Sequence, residues 1–125
     1  MKKYIILIPI YNDKESLIKL IENINLEVKD LNSEISIIVV NDASSQQVID
    51  NYQNIESIHS IKVINMKENR GHTRCIASGL KYIFEKKEFD YVIPMDGDGE
   101  DRPEEIKNLI QLAEQSETKS IVAER

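Results

Sequence analysis

Two aspartates separated by one glycine, Asp96 and Asp98, open the segment Asp96-Gly97-Asp98-Gly99-Glu100-Asp101. It directly follows the apolar run Tyr91-Val92-Ile93-Pro94-Met95. Carboxylates so placed suit a hard divalent cation, which takes oxygen ligands. Six of the ten residues from Asp96 to Glu105 are acidic, and two unit charges about 4 Å apart interact by roughly 4 kcal/mol at an effective dielectric of about 20. A diphosphate beside them calls for a bridging cation. Mg²⁺ and Mn²⁺ fit, held by few protein ligands plus phosphate oxygens. The competing reading is an acidic, solvated turn that caps the next helix, where Asp and Glu suit the helix dipole. Composition alone does not separate the two. A calcium loop of the EF-hand type fits poorly: it needs glycine at its sixth position and glutamate at its twelfth, where this chain has Asp101 and Lys107.

Three more polar segments carry candidate chemistry. Asp42, in Asn41-Asp42-Ala43-Ser44-Ser45, is suited to accept a hydrogen bond from a base N–H or a ribose hydroxyl, or to cap a short helix. In Pro9-Ile10-Tyr11-Asn12-Asp13, Tyr11 either stacks on a flat base or covers a strand end. Asn12 and Asp13 are ligand contacts or loop and cap residues. In Asn69-Arg70-Gly71-His72, the glycine before a helix either lets backbone approach a phosphate, with Arg70 adding charge, or serves a tight turn with positive φ. His72 reads as a helix-start residue and Cys75 as a small buried hydrophobe. No second cysteine cluster suggests zinc, and no serine or cysteine nucleophile has a paired histidine.

These segments need a scaffold. Apolar, β-branched runs predict buried strands at Tyr4 to Ile10, Ile35 to Val40, Ile61 to Asn65 and Tyr91 to Met95, with a fifth at Lys119 to Ala123. Between them, helical spacing predicts a helix capped by Asp13 and carrying Leu17, Ile21, Ile24, Val28 and Leu31. A short helix is expected near Gln46 to Gln53. Another carries Ile76, Leu80, Ile83 and Phe84 on one side. A last helix opens at Arg102-Pro103-Glu104-Glu105, with proline suited to its first turn, and carries Ile106, Leu109, Ile110 and Ala113. Alternating strands and helices indicate an α/β fold with a mostly parallel sheet, helices on both faces and right-handed crossovers. All four polar segments then fall at the carboxyl edge of the sheet, where open α/β sheets bind ligands.

A chain of 125 residues is enough for one domain with a core. The net charge of −6 argues against a nucleic-acid binder. A single cysteine allows no internal disulfide and fits a reducing, cytoplasmic compartment. No apolar run approaches the roughly 20 residues that span a bilayer. The sequence stops at Ile121-Val122-Ala123-Glu124-Arg125, just after a strand begins, so a fragment of a larger domain is expected.

Together the segments resemble family 2 of the nucleotide-sugar glycosyltransferases, which have the GT-A fold. The matching residues are Ile8-Pro9-Ile10-Tyr11-Asn12, Ile38 to Ser44, Asn69-Arg70-Gly71-His72 with Gly79-Leu80, and Met95 to Glu104. The polyprenyl-phosphate sugar synthases look like the nearest branch. The resemblance implies that residues 1–125 form the nucleotide-sugar-binding part of the domain, with Pro9 and Tyr11 shaping the nucleobase pocket and Asp42 contacting the base. Asn12 and Arg70 would be further substrate contacts, and Gly71 would let the chain pass close to the nucleotide. Asp96 and Asp98 match the family's DxD motif, which binds Mg²⁺ or Mn²⁺ on the donor diphosphate, and Glu100 would also approach the metal. The implied activity is sugar transfer with inversion from a UDP- or GDP-linked donor to a lipid-phosphate or glycan acceptor, with membrane association through segments not present in this chain. The chain departs from the family at Asn12, often Glu, at Asn41, often Asp, and in the glycines of the acidic motif. The family's acceptor-binding half, which in many members supplies the catalytic base, has no counterpart here, so no base is assigned. Two alternatives stand beside this reading: a truncated, non-catalytic nucleotide-binding module, and a receiver-type signalling domain. The acidic pair of a receiver domain, however, follows the first strand, where this chain has Pro9-Ile10-Tyr11-Asn12.

Overall fold

The computed structural model describes residues 1–43, 55–95, 103–114 and 120–121. In chain order the elements are β1 (Lys3–Ile10), α1 (Lys14–Val28), β2 (Glu34–Asn41), β3 (Ser60–Asn65), α2 (His72–Lys86), β4 (Tyr91–Pro94), α3 (Pro103–Ala113) and β5 (Ser120–Ile121). The strands form one sheet in the order β3-β2-β1-β4-β5, and every pairing is parallel. The expected α/β architecture is therefore present, with strand bounds within one residue of expectation for β1 to β4. The expected helix near residues 46–53 lies outside the described residues.

The near-continuous apolar runs of β1 and β2 follow from burial on both faces. One face of the sheet, with Ile6, Ile8, Ile37, Val39 and Ile93, packs on α1 through Leu17, Ile21 and Ile24 and on α3 through Ile106 and Ile110. The opposite face, with Leu7, Ile38, Val40 and Val92, packs on α2 through Cys75 and Ile83. The buried stripe of α2 is Cys75, Gly79 and Ile83. Phe84, expected on the packed side, is exposed and meets Phe89 edge-on at 5.1 Å. The reason is Gly79. A Cβ there would stand 2.4 Å from Leu7 Cδ1 and 3.1 Å from Val40 Cγ2, so the helix seats closest to the sheet at this glycine and turns Phe84 outward.

Asp13 occupies the N-cap of α1, but its side chain makes no capping bond. With ψ at 54° its backbone is outside the extended geometry of a capping residue. Only its carbonyl takes part, accepting from Leu17 N–H at 3.1 Å. At the other end of the sheet, Tyr4 and Tyr91 stack in register on β1 and β4, with ring centroids 5.4 Å apart. Tyr91 Oη and Lys2 Nζ donate to the Ala113 carbonyl at 3.2 and 3.0 Å, and Tyr4 Oη donates to the Glu114 carboxylate. These bonds serve groups that the C-terminal end of a helix leaves without intrahelical partners. They tie that end of α3 to the amino edge of the sheet.

The strand order reverses at β1, whose two neighbours are β2 and β4. Pairing of β1 with β4 stops at Leu7 and Pro94, while pairing with β2 runs on to Ile10 and Asn41. Proline explains the early stop. Leu7 C=O accepts from Met95 N–H at 2.8 Å, and Ile10 C=O accepts from Asp42 N–H at 2.8 Å. Strand alternation then turns the Pro9 nitrogen toward β4, where it has no hydrogen to donate to the Met95 carbonyl. The ladder between the two central strands thus ends short of the carboxyl edge, at the switch point where open α/β sheets bind ligands.

Replacing Gly79 by alanine adds helix propensity worth about 1 kcal/mol but overpacks the contact with Leu7, at a cost of about 1–3 kcal/mol. The expected outcome is a net destabilisation of about 1 kcal/mol, read as a lower urea midpoint. A higher midpoint would contradict the seating of α2 on Leu7.

Candidate functional site

The carboxyl edge gathers the ends of β1, β2, β3 and β4. Pro9 is buried within β1, and Tyr11, just beyond it, is 54% exposed, so its ring is open to solvent at the strand end. Asn12 and Ala43 follow β1 and β2 with left-handed backbones, φ 52° and 58°. Such conformations cost non-glycine residues free energy and often occur at functional sites. Asn41, at the end of β2, donates from Nδ2 to Asn65 Oδ1 at the end of β3, 2.9 Å away.

Asp42 is the centre of this edge. It is 4% exposed, and a buried carboxylate needs hydrogen-bond donors to stay charged. Arg70 N–H donates to Oδ1 at 2.7 Å, and Gly71 N–H to Oδ2 at 2.9 Å. Asn69 Nδ2 donates to Oδ2 at 3.0 Å and lies 3.3 Å from the Asp42 carbonyl. The Cys75 thiol, on the first turn of α2, is electrostatically coupled to this carboxylate. Burial pushes the Asp42 pKa up, but the backbone donors Arg70 and Gly71, with Cys75, outweigh it and hold the carboxyl below its ordinary value of 3.8. The thiol moves the other way. Burial first, then its bond to Asp42 and the charge of that carboxylate, push Cys75 up to about 12. It stays protonated and is not a nucleophile.

Gly71 has φ 89° and ψ 166°, a region essentially restricted to glycine. A Cβ there would meet nothing within 4 Å, so the backbone conformation, rather than crowding by the described residues, demands glycine. Gly71 is the N-cap of α2, and its carbonyl accepts from Cys75 N–H at 3.1 Å. Arg70 Nη2 pairs with Glu68 Oε1 at 2.6 Å, and both side chains are at least half exposed. Beside this turn lies an open cavity of about 540 Å³ lined by Met66, Lys67, Glu68, Arg70, Arg74 and Ser78. Three basic groups against one acidic group make it a positive hollow.

The structure thus brings Asp42, Arg70 and Gly71 together, with Pro9, Tyr11 and Asn12 along the same edge. Asp96, Asp98 and Glu100 lie outside the described residues, and β4 runs toward them at the switch point. Among the described residues, no group of three or more His, Cys, Asp or Glu side chains is placed to hold a metal. Sequence reasoning did not find Asn69 as a partner of Asp42. It lies 27 residues away, and no local pattern links the two.

The family model described as glycosyl transferase family 2 matches residues 5–125. The chain belongs to that family. Among curated relatives of this family 2 chain, the undecaprenyl-phosphate 4-deoxy-4-formamido-L-arabinose transferase of Proteus mirabilis (strain HI4320) is 35% identical over 118 residues, covering 92% of this chain and 35% of the relative. The transferase of the same name from Pseudomonas savastanoi pv. phaseolicola is 33% identical over 112 residues, covering 88% and 32%. This family 2 chain therefore spans about a third of the length of the curated relatives it matches. The crystal structure of S. aureus TarS 1-349 superposes with a TM-score of 0.65 at 23% identity, over 90% of this chain and 32% of that one. At that identity it speaks for the fold, which is that of a glycosyltransferase domain.

Two outcomes follow for this family 2 turn. Gly71→Ala should cost about 1–3 kcal/mol from backbone strain alone, measured by urea unfolding; equal stability would contradict the conformation at Gly71. The second concerns acid. Because the Asp42 pKa is depressed on folding, its stabilising contribution is complete above its unfolded value of 3.8 and is lost as pH falls through the lower folded value. The stability gap between the native chain and Asp42→Asn should therefore narrow as pH drops from about 6 to about 3, read as melting temperature against pH. A constant gap would contradict the depressed pKa.

Proposed function

We propose that residues 1–125 are the donor-binding part of an inverting glycosyltransferase. It takes a sugar from a UDP- or GDP-linked donor and passes it to a polyprenyl phosphate or glycan. The observation that supports this reading is the gathering of Asp42, Arg70 and Gly71, with Tyr11 and Asn12, at the carboxyl edge of the sheet beside the switch point. Tyr11, Asn12, Asp42, Arg70 and Gly71 stand along that edge and are the contacts assigned to the nucleotide, with Pro9 shaping the nucleobase pocket. The positive hollow at Lys67, Arg70 and Arg74 suits the anionic part of a donor or of a phosphorylated acceptor.

Asp96, Asp98 and Glu100 are hard oxygen donors of the kind that Mg²⁺ or Mn²⁺ takes, and these three residues would hold the ion. When bound, the cation supplies charge neutralisation and Lewis-acid stabilisation at the diphosphate. In the transfer, an acceptor oxygen bonds to the anomeric carbon from the face opposite the leaving group; an ionised phosphate oxygen has no proton to lose, whereas a glycan hydroxyl would pass its proton to a base not assigned among residues 1–125. The bond to the diphosphate oxygen breaks, and the nucleoside diphosphate leaves with the electron pair. Undecaprenyl phosphate, in the names of the relatives above, is a polyprenyl phosphate. That favours this acceptor class, and with it work at the cytoplasmic face of a membrane.

Calorimetry of the chain with UDP and GDP, with and without Mn²⁺, tests the donor site. At least one nucleotide should bind with Mn²⁺ present, and chelation or Asp98→Ala should weaken it about tenfold or more. Absence of binding to both, or binding indifferent to the metal and to Asp98, would sink the assignment.

A further inference from the structure

Charge is unevenly shared along this chain. Residues 60–87, which span β3 and α2, hold seven Lys and Arg against two acidic residues, while the rest of the chain holds nine against twenty. All seven of these cations are exposed, and the fold puts them on one side. Lys67, Arg70 and Arg74 line the hollow beside the Gly71 turn. Lys62 shares the α2-facing side of β3 with Ile64, which packs into the core there. Its Nζ stands 5.8 Å from the centre of the Tyr82 ring, and Lys87 Nζ stands 5.9 Å from the same ring. On α2, Arg74 and Lys81 fall opposite the buried stripe of Cys75, Gly79 and Ile83, and Lys86 ends the helix. The result is a basic strip about 22 Å long, the length of α2. Of the acidic residues nearby, Glu68 pairs with Arg70 and Glu88 with Lys3; Glu85 stands exposed among the cations.

The same outer face carries an apolar tip, Phe84, three residues after Lys81 and 55% exposed. Among the described residues, no other helix packs on this side of the sheet. Clusters of about four to eight Lys and Arg on a helix attract anionic lipid surfaces, and an aromatic group beside them suits the boundary between headgroups and acyl chains. We infer that the outer face of α2, with the cations of β3 and of the turn after it, docks on a phospholipid surface bearing anionic headgroups. Phe84 enters the boundary, and the lysine stems lie along it with their ammonium groups on lipid phosphates. The acidic remainder of the chain is repelled by that surface, so the charge asymmetry sets the orientation of the chain as well as its affinity. One end of the strip adjoins the Gly71 turn, and docking therefore brings the carboxyl edge alongside the bilayer. A nucleic acid is the other polyanion that such a strip attracts; Phe84 and the acidic remainder favour the membrane. That choice also rests on the polyprenyl-phosphate acceptor proposed above, whereas the strip itself does not.

The test is co-sedimentation of the chain with vesicles of phosphatidylcholine alone and of an equal mixture of phosphatidylcholine and phosphatidylglycerol. The chain should associate with the mixed vesicles and not with the neutral ones, and the association should be lost as salt rises from about 0.05 to about 0.5 M. Lys62→Glu, Lys81→Glu and Lys86→Glu together should weaken it about tenfold or more. Lys19→Glu, Lys29→Glu and Lys107→Glu make the same change in net charge on α1, at its C-cap and on α3, across the sheet. That second triple variant should lose far less. Phe84→Ser should weaken the association about threefold or more. The salt series on the native chain keeps the test decisive if a variant does not fold.

No association with the mixed vesicles, equal association with both kinds, or equal losses from the two triple variants would overturn the docking face. Phe84→Ser binding like the native chain would remove Phe84 from it. Tighter binding to duplex DNA or to single-stranded RNA than to the mixed vesicles, at one salt concentration, would overturn lipid as the partner. Vesicle binding needs no nucleotide, so the two readings fail separately. Vesicle binding without UDP or GDP binding sinks the donor site alone, and nucleotide binding without vesicle binding sinks the docking face alone.

Discussion

A charge taken out of water must be surrounded by donors or be given up, and Asp42 meets that condition with the donors of one turn. The consequence runs through the whole carboxyl edge. The turn after β3 closes so that two successive amides converge on one carboxylate. That closure sends Gly71 into a conformation other residues avoid and launches α2 from a fixed point. The buried charge, the strained glycine and the helix start are thus one arrangement described from three sides. The Asn41–Asn65 amide bond repeats the principle a residue earlier, joining the ends of β2 and β3 across the sheet.

The rest of the fold holds that edge steady. β1 and β2 are buried on both faces, α1 and α3 cover one side and α2 the other. α2 is the sole described helix on its face, so its seat matters most, and Gly79 sets that seat by letting the backbone descend onto Leu7. α3 is tied at its far end by Lys2, Tyr4 and Tyr91. Its first turn therefore lies toward the edge where the acidic segment precedes it in sequence.

Much of this architecture is legible in the residues alone. The β-branched runs and the polar segments after them suffice for a parallel sheet with a loaded carboxyl edge, because burial on both faces leaves no other use for such runs. The short-range register of α2 is less legible. Phe84 looks like a core residue by spacing, and only the close approach at Gly79 shows why the buried stripe is shifted by one position. Asp13 looks like a cap by type, but capping depends on a backbone angle that residue type does not set. Asp42 is the hardest case. Its identity as a polar residue at a strand end is readable, while its bonds to Asn69, Arg70 and Gly71 are contacts of tertiary structure. Nothing in the local pattern distinguishes a carboxylate aimed at a ligand from one aimed at its own chain.

Pro9 carries a last consequence. The ladder between β1 and β4 ends where it does because its next rung lacks a hydrogen atom. Any other residue at this position would bring an N–H facing the Met95 carbonyl, and the two strands could close by one more bond. The end of the pairing is thus a zipper stop written into covalent chemistry, independent of side-chain packing on either face.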